Sequence, residues 1–173
     1  GASGDVKTYV VPARQHDRLT AVKMVNTLLK SDIEVRRASA SFEVDGMQYG
    51  AGSYVIPLAQ PKMGLIRNLL GRTSYPDNEW TRARDGSPLR PYDTATHTMA
   101  EVMGVRVDPV GSAVEGHLEV MEEEEATPGS VAAGSRFRLD GRLNLSYKAV
   151  NLLLDDGATV RRVQRAGGGL GVG

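Results

Sequence analysis

Gln15, His16 and Asp17 stand together just after the short apolar run Tyr9-Val10-Val11-Pro12. A polar triplet at the carboxyl end of a strand is where an α/β sheet meets a small ligand. Asp93 and His97 are four residues apart, so on one helix they would share a face and could meet as an acid–base pair. No G-x-S-x-G turn supplies a nucleophile for them. The three histidines, His16, His97 and His117, are not clustered and none belongs to an H-E-x-x-H pair, so the chain alone offers poor zinc geometry. Gly50-Ala51-Gly52-Ser53 lacks the full G-x-G-x-x-G and precedes a strand, which makes it a bend and not a phosphate cradle. Asp17, Asp77, Asp85 and Asp93 fall at turns and helix starts, where capping is the ordinary role of an aspartate.

Two further groups carry side chains suited to binding. Arg36-Arg37 sits on an extended run, where neighbours point to opposite faces, so the two cannot form one clamp. One is expected to be exposed and the other ion-paired. Tyr75, Trp80 and Tyr92 lie in or beside the polar stretch from Arg72 to Pro91. They could line a ligand groove, but anchoring the loop to the core is the preferred reading. A loop of this length in a compact domain is usually functional or partly disordered.

Composition narrows the classes. The 173 residues carry 21 basic and 21 acidic side chains, which argues against a dedicated nucleic-acid binder. The absence of cysteine excludes a cysteine nucleophile, disulfides and thiolate metal sites. No apolar run approaches the roughly 20 residues of a membrane helix, so no membrane span is expected.

The elements that must position these residues follow from pattern. Lys7–Pro12 reads as a buried strand. Asp17 caps a helix over Arg18–Lys30 whose Val22, Val25, Leu28 and Leu29 make one apolar stripe. Ile33–Ala38 reads as the next strand, and strand, helix and strand with short links suggest a βαβ unit in a parallel sheet. Asp45-Gly46 after Phe42-Glu43-Val44 signals a hairpin turn. Tyr54-Val55-Ile56 is a second buried strand, and a helix carrying Met63, Leu65, Ile66, Leu69 and Leu70 stops at Gly71. Asp93 or Thr94 is expected to cap a helix over Met99, Val102 and Met103 that ends at Gly104, before a strand over Val105–Val110.

The chain also repeats itself. Lys23, Val25, Asn26, Leu28, Leu29, Val35, Arg36 and Arg37 recur 125 positions later as Lys148, Val150, Asn151, Leu153, Leu154, Val160, Arg161 and Arg162. A fixed offset marks a duplicated structural unit. Domains are expected at 5–110 (α/β), with an acidic Pro/Gly linker over 111–134, a partial second repeat of strand, helix and strand over 135–166, and a Gly-rich tail over 167–173. The second copy stops where the first goes on to further strands, so the chain is expected to be a piece of a longer protein. An incomplete unit could pair with a second copy of the chain, giving a homodimer by exchange.

Several segments together carry a resemblance. They are Tyr9–Pro12 with Gln15-His16-Asp17, Gly46–Ile56, Ala59-Gln60-Pro61, Tyr75-Pro76-Asp77 and Arg90–Val105. In this order, over about residues 6–110, the chain resembles the region following the catalytic domain in large bacterial proteins of the zinc carboxypeptidase (carboxypeptidase A-like metallopeptidase) family. The resemblance implies a zinc-binding peptidase domain elsewhere on the protein, a secreted or periplasmic location, and flavodoxin- or amidotransferase-like layers here. The family's His-x-x-Glu pair, later His and downstream Glu match nothing in this chain, so no catalytic or metal residue and no cofactor is assigned to it. The expected fold is α/β, a mostly parallel sheet flanked by helices with a β-hairpin insertion. The expected function is a non-catalytic accessory domain, packing against the peptidase domain in cis or assisting a peptide substrate. The alternative is a small-molecule-binding domain with its site at the strand carboxyl edge. Residues proposed for binding are Gln15, His16, Asp17, Trp80, Tyr92, Asp93 and His97, with the loop 72–91 as the contact surface.

Overall fold

Threonine, tyrosine and two valines form the first strand, Thr8–Val11 (β1), and all four are buried. The structure is a computed structural model that describes residues 6–72, 77–90, 97–123, 129–131, 133–164 and 170–172. Helix Arg18–Lys30 (α1) follows, with Asp17 as N-cap accepting from the Thr20 N–H at 3.0 Å. The helix buries Ala21, Met24, Val25 and Leu28 in the main core. Arg36–Ala38 (β2) leads into the hairpin Phe42–Val44 (β3) and Met47–Tyr49 (β4). Its turn holds Asp45 at φ 48° and Gly46 at φ 75°, the left-handed values that the two central positions of a type I′ turn require. Tyr54–Pro57 (β5), helix Met63–Leu70 (α2), helix Met99–Met103 (α3), Asp108–Val110 (β6) and Leu118–Val120 (β7) complete the first unit.

The parallel sheet expected from the strand–helix–strand pattern does not form. The five strands lie in the order β6-β1-β5-β2-β7, and every neighbouring pair is antiparallel. Strands β1 and β2 both run opposite to β5, so they share a direction, as a helical crossover would have them. They are not neighbours, because β5 is inserted between them. The physical cause lies in the hairpin. After β2 the chain leaves the sheet, turns through β3 and β4, bends at Gly50-Ala51-Gly52, and re-enters antiparallel in the gap. Gly52 takes φ 83° in that bend, and its N–H donates to Ala38 O at 2.7 Å. The flavodoxin- or amidotransferase-like layering is therefore corrected to an antiparallel sheet with helices.

One sheet face carries Tyr9, Val11, Val35, Tyr54 and Ile56 and packs on α1, α2 and α3. Near Val10 and Val110 the other face is covered by Val44 and Tyr49 of the hairpin. Tyr49 stacks on Phe42 with ring centroids 5.2 Å apart. Its hydroxyl donates to Asp108 Oδ2 at 3.1 Å, and burial, with the charge of Asp108, pushes its pKa up to about 12.

One helix end departs from expectation and another falls where it was expected. The cap of α3 is Thr98, not Asp93 or Thr94: Thr98 Oγ1 accepts from Glu101 N at 3.2 Å, and Glu101 Oε2 accepts from Thr98 N at 3.0 Å. This reciprocal pair satisfies two otherwise orphaned donors. The end of α2 at Gly71 is set by space. A Cβ there would lie 2.5 Å from Arg67 O and 2.8 Å from the Tyr9 hydroxyl. Gly71→Ala is therefore expected to lower stability by about 1–3 kcal/mol through overpacking, readable as a lower urea midpoint at unchanged slope.

The second unit is small. It comprises helix Asn144–Asp155 (α4) and a three-stranded antiparallel sheet of Leu139–Asp140 (β8), Arg162–Gln164 (β9) and Leu170–Val172 (β10), in the order β8-β10-β9. Helix α4 and strand β9 begin within one residue of the starts of α1 and β2 shifted by 125 positions. The stretch 111–134 contributes β7 to the main sheet, and the Gly-rich tail contributes β10.

Candidate functional site

The triplet after β1 is drawn together, but mostly for structural work. Gln15 Nε2 donates to Pro12 O at 2.9 Å and to Arg106 O at 3.0 Å, while its Oε1 accepts from Arg106 N at 2.9 Å. It therefore ties the β1–α1 loop to the segment between α3 and β6. His16 is exposed. Asp17 is buried and serves two helices. Besides capping α1, its Oδ2 accepts from the Thr20 hydroxyl at 2.7 Å and from the backbone N–H of Asn144, the first residue of α4, at 2.8 Å. Asn144 Nδ2 donates to Thr20 Oγ1 at 2.9 Å, which closes the cluster. Burial works to raise the pKa of Asp17. The hydrogen bonds from Asn144, Thr20 and Leu19 outweigh it and hold the carboxyl below its ordinary value.

At this edge lies a cavity of about 150 Å³, lined among others by Pro12, Ala13, Gln15, Arg18, Arg37 and Gly52. Organic ligands fill pockets of roughly 300–1,000 Å³, so this space takes an ion or a few waters. Arg36, beside Arg37, is ion-paired to Glu34 at 2.6 Å.

The long polar stretch is better organised than a loop. Glu79–Thr81 form a 3₁₀ turn capped by Asn78, whose Oδ1 accepts from Trp80 N at 3.0 Å while its own N–H donates to Thr81 Oγ1 at 2.9 Å. Arg82 grips Asp77 with two donors, each at 2.7 Å, and donates to Gly86 O at 2.7 Å. Leu89 N donates to Thr81 O at 2.8 Å. Thr81 is the buried foot of this turn, whereas Trp80 is 82% exposed. Trp80 therefore does not anchor the loop to the core.

Tyr75, Tyr92 and Asp93 lie outside the described residues. His97 is exposed on a bend ahead of the Thr98 cap, outside α3. Among the described residues, no group of three or more His, Asp or Glu side chains is placed to hold a metal ion. Among the described residues, no helix is long and apolar enough to cross a membrane.

A larger opening is bordered by β1, the end of β5, the start of α2 and the segment after β6. It has a volume of about 560 Å³, and its lining includes Lys7, Val55, Pro57, Met63, Arg67 and Glu115. Sequence reasoning missed it because these residues come from distant segments and share no local pattern. No family model, curated protein or solved structure matches this chain.

Proposed function

We propose that this chain is a non-catalytic accessory domain of a zinc carboxypeptidase-like protein, and that it docks on the peptidase domain in cis through the turn carrying Trp80. The observation that carries the reading is Trp80 itself. A tryptophan 82% exposed is held out by a capped and ion-paired turn. Tryptophans are enriched among the residues that dominate binding energy, and a pre-braced turn loses little freedom on docking. The resemblance over residues 6–110 supplies the identity of the partner, and zinc belongs to that partner. Helping to position a peptide substrate is the role such docking would serve.

The test uses the one tryptophan in the chain. With 5-fluorotryptophan at position 80, the fluorine resonance is expected to shift when the peptidase domain of the same protein is added. Trp80→Ala is expected to weaken that association by about 30-fold or more, the scale of an interface hot spot. An unmoved resonance with unchanged affinity of the variant overturns the reading.

A further inference from the structure

We propose that the 560 Å³ groove bordered by β1, β5, α2 and the segment after β6 binds a small zwitterion, an apolar amino acid or dipeptide with both termini free. This inference goes beyond the docking role and stands whether or not Trp80 meets a partner. The volume falls inside the range of small-molecule sites. The apolar floor is made by the half-buried Val6, Pro57 and Val114, above the nearly closed-off Val55 and Thr8. Met63 from α2 adds an exposed thioether at the rim, a side chain that adapts to varied apolar shapes.

The charges around this floor decide the ligand class. Arg36 is already engaged by Glu34 at 2.6 Å. Lys7 and Arg67 take part in none of the ion pairs among the described residues, and both are exposed. They offer charge-assisted donors to a carboxylate. Among the described residues, Glu115, from the segment after β6, is the one acidic side chain lining the groove, and it is likewise outside those ion pairs. It offers an acceptor to an ammonium. A fatty carboxylate would use the floor and the cations but leave Glu115 with nothing to pair. An inorganic phosphate would leave the apolar floor unused. A molecule with a carboxylate, an ammonium and an apolar side chain uses all three.

Leucyl-leucine is the probe, titrated calorimetrically into the 173-residue chain. Binding is expected, and N-acetylation or C-amidation of the dipeptide is expected to weaken it about ten-fold or more, the scale of one lost charge-assisted hydrogen bond. Arg67→Gln should produce the same loss for leucyl-leucine and none for its amide. Glu115→Gln should abolish the preference over the N-acetylated form. Both side chains are exposed, so the variants should melt like the parent chain. No heat with leucyl-leucine, equal binding of octanoate, or variants that bind like the parent each overturn the proposal.

Discussion

Leu28→Ala is expected to cost about 2–5 kcal/mol of folding stability, the range for emptying a fully buried leucine site. The matched change in the second unit, Leu153→Ala, is expected to cost about 1 kcal/mol or less. Leu153 stands 125 positions after Leu28 in a matched stretch of sequence, yet Leu28 is 0% exposed and Leu153 is 42% exposed. In α1 the residue is surrounded by Met24, Val25, Ile33, Val35 and the sheet. In α4 only Ser146 is buried, and Leu145, Leu152, Leu153 and Leu154 all remain substantially exposed. Alanine also propagates a helix slightly better than leucine, which further offsets the loss at Leu153. Urea unfolding of the two single variants checks this. Equal shifts in midpoint would mean that the second helix is packed as tightly as the first.

Asp17→Ala is the second large effect. Losing an N-cap costs about 0.5–2 kcal/mol, and stranding the buried Thr20 hydroxyl, with the partly buried Asn144 N–H, adds roughly 1–2 kcal/mol. A total of about 2–4 kcal/mol is expected, with amide exchange across Asn144–Asp155 accelerating because α4 loses its own cap as well. Leu143 at the start of α4 makes no side-chain cap bond, so Asp17 does that work from another helix. The pH dependence follows from the direction of the shift. The folded carboxyl lies below its unfolded value, which is about 3.9. Its contribution is therefore complete above that value and is lost as pH falls through the lower folded value. The stability gap between the parent chain and Asp17→Ala should be full at pH 7 and narrow on acidification. A gap that is constant from neutral to strongly acidic pH would show that the charge of Asp17 is not involved.

The same residue shows what could be read from the chain in advance. Asp17 as the cap of a helix from Arg18 to Lys30 is a local matter of a carboxylate three residues before a free N–H, and it is visible in sequence. Its bond to Asn144 spans 127 positions and has no local trace. The Asp45-Gly46 turn was legible because only a few residue types accept its backbone angles. The place to which the hairpin returns the chain was not, because inserting β5 between β1 and β2 is a choice among long-range pairings. Thr98-Met99-Ala100-Glu101 did carry its capping signal in plain view. The proline–aspartate cluster upstream drew attention to the wrong residue. Trp80 was misplaced for a different reason: an aromatic in a polar stretch reads the same whether it points in or out. The groove needed β1, β5, α2 and the segment after β6 to be brought together before its charges could be compared.

The outer strands of the main sheet have a bearing on how the protein behaves when crowded. An open antiparallel sheet ends in rows of unused donors and acceptors, each a template on which another chain can add. Here β6 carries Pro109, which has no N–H to give. At the opposite end β7 is three residues long, has Glu119 at its centre, and is followed by Glu122 and Glu123. Two copies meeting along β7 would bring like charges together on a very short ladder. Growth into fibrils by strand addition is therefore resisted at both ends of the sheet.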